Sequence, residues 1–107
     1  MEIKQYQVAL VNLEPTIGRE IRKTRPCVII SPNEMNNFLE TLIIAPMTTA
    51  TKDYPTRVGV RFNKRKGSVA LDQIRTIDKK RIIKTYNSLS QKEILNVKSI
   101  LHEMLVL

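Results

Sequence analysis

The chain has 107 residues, with 18 Lys and Arg against 10 Asp and Glu, a net charge of +8, one cysteine, one histidine and no tryptophan. That length predicts one domain over residues 1–107 with a compact core, and no apolar run approaches the ~20 residues of a membrane helix. A lone cysteine, a lone histidine and scattered acids rule out the ligand clusters of zinc or calcium sites and a histidine-based hydrolase triad, so no metal or other cofactor is expected.

Met1 to Leu10 alternates polar and apolar residues, unlike a signal peptide, and a soluble, cytoplasmic protein without membrane contact is expected. Tyr6 to Leu13 reads as a strand, with Val8 and Leu10 on one face and Ala9, Val11 and Leu13 on the other. Both faces are apolar, which predicts a central position. Glu14-Pro15-Thr16-Ile17-Gly18 breaks the strand, and a polar loop runs from Arg19 to Thr24 before a second strand, Pro26 to Ile30. Cys27 lies inside it, where a small buried hydrophobe is expected.

Asn33 to Asn37 predicts a turn or one helical turn, Thr41 to Pro46 a third strand, and Met47 to Pro55 a second long loop. Alternation returns at Thr56 to Phe62, with Val58, Val60 and Phe62 on one face. Asn63 to Gly67 reads as a turn and Ser68 to Leu71 as the second strand of a hairpin. Asp72 to Asp78 reads as a short strand or bend, and Arg81 to Tyr86 as an extended or helical segment. At Leu89-Ser90-Gln91-Lys92-Glu93-Ile94, Ser90 and Glu93 form a capping box and Leu89 and Ile94 a hydrophobic staple. A helix starts there and carries Ile94, Val97, Leu101 and Met104 as an apolar stripe. About six short strands and a terminal helix predict a mainly β (α+β) fold, a small, partly open β-barrel with a C-terminal helix.

Basic residues cluster at Arg19 to Arg25, Arg57 to Lys66 and Lys79 to Lys84, each in or beside a loop, as a phosphate-tracking surface requires. Tyr6, Phe38, Tyr54, Phe62 and Tyr86 are the only aromatics, too few for a broad base-stacking platform. At Arg25-Pro26 an arginine stands at the mouth of a buried strand. There it either pairs with a carboxylate or faces a cleft where a phosphate can sit.

One reaction suits this inventory, cleavage of RNA by its own 2′-hydroxyl, because the substrate supplies the nucleophile. Arginine and threonine donors aimed at the phosphoryl oxygens are worth about 2.7–4 kcal/mol each. With a pKa above ~12, arginine is a poor general base, so Arg25 is assigned electrostatic stabilisation first and proton delivery to the 5′-oxygen second. Taken alone, Thr48 reads first as a strand-ending hydroxyl that satisfies the backbone. Asp72 and Arg75 are balanced between a structural pair and substrate contact, and Glu20 stands near Arg22 and Arg25 to offset their charge. Lys64-Arg65-Lys66 reads as a solvated turn and His102 as a structural helix residue.

In four ordered blocks the chain resembles the MazF/PemK/Kid toxins of bacterial toxin–antitoxin systems. These are Leu13-Glu14-Pro15-Thr16-Ile17-Gly18-Arg19-Glu20, Thr24-Arg25-Pro26-Cys27-Val28-Ile29-Ile30, Ala45-Pro46-Met47-Thr48 and Leu71-Asp72-Gln73-Ile74-Arg75-Thr76-Ile77-Asp78. The resemblance spans nearly the whole length. It implies an SH3-like barrel forming a homodimer, a metal-independent endoribonuclease acting on single-stranded RNA, catalysis by Arg25 and Thr48, and inhibition by a cognate acidic antitoxin. RNA-binding roles follow for Arg19, Glu20, Asp72, Gln73 and Arg75.

The pattern also departs at three places. Gln5-Tyr6 stands where many relatives carry Gly-Asp or Gly-Glu, Arg19 where one branch has histidine, and Ala70 where that branch is basic. Arg19 is therefore expected to bind phosphate rather than move a proton. Two further classes are weighed. A CcdB-like gyrase-binding poison without nuclease activity uses a C-terminal Trp-Gly-Ile, whereas this chain ends Met104-Leu105-Val106-Leu107. A non-catalytic RNA-binding barrel leaves the Arg25 and Thr48 blocks unexplained.

Overall fold

The two-sided apolar pattern of the first strand has a direct structural counterpart in a computed structural model of the chain, which describes residues 2–49 and 54–106. β1 (Gln7–Asn12) lies inside the sheet, antiparallel to β2 (Thr24–Ile29) on one edge and to β7 (Ile82–Ser88) on the other. The remaining elements are α1 (Asn33–Phe38), β3 (Thr41–Thr48), β4 (Arg57–Phe62), β5 (Arg65–Ala70), β6 (Arg75–Asp78) and α2 (Gln91–Leu105). The sheet runs in the order β4-β5-β3-β2-β1-β7, with β6 attached to β3.

β3 joins the two halves. One edge pairs with β2, Cys27 opposite Pro46 and Ile29 opposite Ile44; the other carries β6 along Thr41 to Ile44 and then β5 at Met47 and Thr48. Changing partners along one edge curls the sheet into a half-barrel. Alternation along β1, β2 and β3 then feeds two cores. Ala9, Val11, Leu13, Cys27, Ile29, Leu42 and Ile44 enter one, and Val8, Val28, Ala45 and Met47 the other. Each fully buried Val, Leu or Ile contributes about 1.5–3 kcal/mol, against about 0–1 for an exposed ion pair, so these strands, not surface charges, hold the barrel.

α2 covers the second core. Val97 is fully buried, with Ile94, Ile100, Leu101 and Met104 packed beside it. The helix begins at the predicted capping box: Glu93 N–H donates to Ser90 Oγ at 3.2 Å, and Ser90 N–H donates to Glu93 Oε1 at 3.0 Å. Leu89 and Ile94 of the staple both join the second core.

Several boundaries differ from the sequence expectation. β3 continues past Pro46 through Met47 and Thr48, because Met47 is buried and both residues gain ladder partners in Val69 and Ser68. β2 starts at Thr24, so Arg25 belongs to the strand and faces Val11 across the ladder. The hairpin turn shortens to Asn63 and Lys64, both at positive φ (51° and 65°), a two-residue connection whose twist matches its strands. Arg65, Lys66 and Gly67 thereby become strand.

Asp72 to Asp78 divides into a 3-10 turn, Leu71–Gln73, and β6. Of Arg81 to Tyr86, Arg81 ends a 3-10 turn, Lys79–Arg81, and Ile82 to Tyr86 are extended within β7. The predicted loop Met47 to Pro55 includes residues 50–53, which lie outside the described residues. No helix of the described residues is long and apolar enough to cross a membrane.

Candidate active site

The β2–β3 register decides what faces what. Cys27 stands opposite Pro46 at the outer end of this ladder, and Arg25 and Thr48 each lie two residues beyond it on their own strands. Both side chains line one cleft of about 480 Å³, walled by Pro26, Met47 and Thr49 and by the hairpin residues Phe62, Asn63, Arg65, Lys66 and Gly67. Arg25 is half-buried, and its Nε donates to the carbonyl of Arg22 at 2.8 Å. The ion pairs among the described residues are Lys4 with Glu2 and Arg57 with Asp72, so no described carboxylate pairs with Arg25. Of the two meanings of the Arg-Pro motif, the cleft is the one the geometry supports.

Arg25, Arg65 and Lys66 bring three cations to this cleft, and no acid among the described residues lines it. A phosphate oxygen ~4 Å from one such cation gains about 4 kcal/mol at an effective dielectric near 20, before desolvation is counted. Polyanions are therefore the ligand class the cleft attracts.

Arg25 is oriented by the loop from Leu13 to Thr24, and that loop is braced from within. Leu13 N–H donates to the Lys23 carbonyl at 3.1 Å and Lys23 N–H to Glu14 Oε1 at 2.9 Å, closing its base. Ile17 N–H donates to Glu20 Oε1 at 2.7 Å, and Arg22 Nη2 to the Gly18 carbonyl at 3.1 Å. Gly18 sits at φ 62°, a conformation glycine adopts without side-chain strain. Ile21 N–H donates to Gln73 Oε1 at 2.7 Å, which ties the loop to the 3-10 turn after β5. The Arg22 carbonyl that receives Arg25 is thus held at both ends of its segment. Glu20, expected to offset Arg22 or Arg25, instead caps Ile17, because the tight turn at Gly18 presents that N–H to its carboxylate.

A second cleft of about 230 Å³ is lined by Glu20, Ile21, Pro46, Asp72, Gln73, Ile74 and Arg75. Four of the five residues read as RNA-binding, Glu20, Asp72, Gln73 and Arg75, meet there. Arg19 is exposed on the loop and lines neither cleft. Asp72 does not pair with Arg75. Its carboxylate accepts Arg57 Nε at 2.8 Å, Arg57 Nη2 at 3.3 Å and Thr56 Oγ1 at 3.1 Å, while Arg75 Nη1 donates to the Leu13 carbonyl at 3.1 Å. The 3-10 turn brings Asp72 back to β4, where Arg57 faces Ala70. Burial works to raise the Asp72 pKa, but the Arg57 hydrogen bond and charge, its backbone contact and Thr56 together hold it below the ordinary carboxylate value.

Phe62, Asn63 and Gly67 are cleft residues that the sequence pattern assigns to no site, and Arg65 and Lys66, read within a solvated turn, join them on the cleft wall. Their signal was the hairpin register: a turn of only Asn63 and Lys64 sets Arg65 opposite Phe62 and Gly67 opposite Val60. Cys27 is buried as expected. Burial pushes its thiol up to about 12, against the opposing charges of Arg75 and Arg25. His102 is exposed on α2.

Comparison with known proteins places these features in a family. The family model for PemK-like, MazF-like toxins of type II toxin–antitoxin systems matches residues 4–105. The chain is similar to endoribonuclease MazF of Staphylococcus epidermidis, at 34% identity over 101 residues, covering 89% of this chain and 84% of that protein. It is also similar to endoribonuclease toxin MazF of Escherichia coli K12, at 36% identity over 67 residues, 63% of this chain and 60% of the relative. In fold it is similar to MazF from Deinococcus radiodurans, with a TM-score of 0.87 at 22% identity over 100% of this chain and 99% of that one. A mycobacterial endoribonuclease in complex with its cognate antitoxin gives a TM-score of 0.82 at 21% identity, covering 98% and 96%.

Proposed function

The chain belongs to the PemK-like, MazF-like toxins of type II toxin–antitoxin systems and is an endoribonuclease, and we propose that it cuts single-stranded RNA by attack of the 2′-hydroxyl on the adjacent phosphorus. The observation that carries this reading is the meeting of Arg25 and Thr48 in one cationic cleft. In the reaction the 2′-oxygen–phosphorus bond forms as the phosphorus–5′-oxygen bond breaks. The 2′-hydroxyl loses its proton, and the departing 5′-oxygen takes one up. A 2′,3′-cyclic phosphate and a 5′-hydroxyl result.

Arg25 neutralises charge that grows on the non-bridging oxygens, and the Thr48 hydroxyl donates to one of them. Donors fixed in advance cost no reorganisation when the charge develops, and the hold of the Arg22 carbonyl on Arg25 Nε supports that role. Arg19, Glu20, Asp72, Gln73 and Arg75 are proposed to bind RNA flanking the cut, with Asp72 and Gln73 acting also by holding Arg57 and the loop.

The partners follow the same charge logic. A cognate acidic, flexible antitoxin segment is proposed to cover the cationic clefts and compete with RNA. A two-fold homodimer is proposed, supported by the exposed apolar Leu95, Leu105 and Val106 of α2 and its end. Residues 1–107 act as one toxin domain in the cytoplasm, and unrestrained activity halts translation and growth.

The test is incubation of purified protein with a defined RNA in excess EDTA, followed by mapping of the ends. Cutting should persist, leave a cyclic phosphate, and stop when the scissile 2′-hydroxyl is replaced by hydrogen. Comparable cutting of an all-DNA strand would overturn the nucleophile.

A further inference from the structure

The Arg25–Thr48 cleft continues past the hairpin tip. Phe62 and Asn63 line it on one side and on the other line a neighbouring cleft of about 390 Å³, whose far wall includes Tyr86, Asn87 and Ser88 of β7. That volume lies within the roughly 300–1,000 Å³ of sites for small organic groups. The Phe62 and Tyr86 rings meet edge to face with centroids 4.9 Å apart, and Lys84 Nζ lies 5.1 Å from the Tyr86 ring centre. Asn63, Asn87 and Ser88 surround the rings as exposed polar side chains, and Arg61 is the cation on the cleft wall, with Lys84 beside the Tyr86 ring.

One carboxylate, Glu93, also lines this cleft, and both its oxygens are engaged. Oε1 accepts Ser90 N–H at 3.0 Å and Oε2 accepts Arg61 N–H at 2.9 Å. Its charge is therefore offset by two backbone dipoles.

We propose that this aromatic cleft is a nucleotide subsite of the nuclease, seating one unpaired RNA base against the Phe62–Tyr86 wall while Lys84 and Arg61 meet the adjoining phosphate. The inference rests on reading the Arg25–Thr48 cleft as the place of cleavage. An aromatic wall holds any base by its π-face, and the Asn63 and Asn87 amides, each carrying a donor and an acceptor, discriminate among base edges. Aromatic rings, amides and cations together fit a nucleotide better than an acidic peptide, which needs only the cations.

The experiment uses an RNA with one mapped cut site, synthesised with an abasic ribose at each flanking position in turn. For the unaltered protein, abasic substitution at one position on one side of the cut should lower kcat/KM between about fivefold and about 150-fold, the range of a single base–aromatic contact. Tyr86→Leu should lose most of that sensitivity at the same position while keeping the wild-type profile elsewhere, and Asn87→Ala should flatten the preference among the four bases at that position while keeping the abasic effect. Tyr86 also packs on the second core, so its melting temperature is measured, and exposed Asn87 carries the test if Tyr86→Leu fails to fold. A folded Tyr86→Leu that keeps the wild-type abasic profile at every position, or an Asn87→Ala that keeps the wild-type base preference at that position, overturns the subsite while the cleavage reading stands. Variants with an unchanged RNA profile but weakened inhibition by the antitoxin assign the cleft to that protein and also overturn the proposal. A wild-type protein that cuts no RNA overturns the cleavage reading and the subsite with it.

Discussion

A single methyl group at Gly67 should damage the site from behind. A β-carbon there would lie 2.7 Å from the Thr48 carbonyl oxygen, 3.6 Å from the Thr48 carbonyl carbon and 3.9 Å from Thr49 Cα. Ordinary contact begins at 3.4 Å, so Gly67→Ala must open the gap from 2.7 to 3.4 Å, about 0.7 Å. The obstacle is backbone, and no side chain can swing aside. The shift falls either on Thr48 or on the hairpin that brings Arg65 and Lys66 to the same cleft.

Because a misplacement of about 1 Å at reacting groups costs on the order of 10²-fold, the expected loss is roughly tenfold to 10²-fold in the cleavage step. Overpacking costs about 1–3 kcal/mol, against about 0.4–1 kcal/mol gained by stiffening the unfolded chain, so the variant should fold with a lower Tm. Single-turnover cleavage at saturating protein reads the chemical step, and binding of the same strand made with deoxyribose reads affinity. Gly59→Ala is the control. Gly59 faces Ser68 in the same hairpin, yet a β-carbon there meets nothing within 4 Å, and its rate should stay within about twofold of wild type. A Gly67→Ala protein that cleaves at the wild-type rate would refute the reasoning.

Arg25→Ala and Thr48→Ala should each slow single-turnover cleavage by ~10²-fold or more with little change in Tm. Arg25→Lys should not restore the rate, since an ammonium cannot keep the Nε bond to the Arg22 carbonyl while also offering a planar fork; wild-type turnover in any of the three would move the site elsewhere. Asp72 has a folded pKa below its unfolded ~3.9, so its stabilising effect is fully present above that value and fades as the pH falls through the lower folded one. Wild type should therefore melt above Asp72→Asn at neutral pH, with the gap closing below about pH 4; a gap independent of pH would contradict the Arg57 clamp. Cys27, buried with a thiol raised to about 12, should resist alkylation in the native protein and label fully in denaturant. Rapid native labelling would mean that β2 opens.

Features encoded within a few residues of sequence could be read directly. The two-sided apolar run of β1, the Ser90–Glu93 capping box and the burial of Cys27 each depend on a local pattern, and each stands where that pattern puts it. Features settled by partners far along the chain could not. The true end of β3 depends on Ser68 and Val69 pairing with Thr48 and Met47. Likewise Asp72 meets Arg57, 15 residues earlier, only because the hairpin register and the 3-10 turn bring them together, while the nearer Arg75 reaches Leu13. Lys64-Arg65-Lys66 looks like one solvated run, yet the two-residue turn leaves only Lys64 outside the cleft walls. Arg25 and Thr48 were named by their motifs, but their meeting in one cleft depends on β2 and β3 lying side by side and on the β4–β5 hairpin that walls it.

The loop from Leu13 to Thr24 is held in part by bonds that each join one main-chain group to one side chain. The main-chain ends are the N–H of Ile17, Ile21 and Lys23 and the carbonyls of Gly18 and Arg22, and the side-chain ends are Glu20, Gln73, Glu14, Arg22 and Arg25. The side chains of Ile17 and Arg19 stand outside that scaffold, Ile17 with 82% of its surface exposed. Positions 17 and 19 are thus open to evolutionary drift. A lineage can exchange them while the Arg25 guanidinium stays where the Arg22 carbonyl holds it.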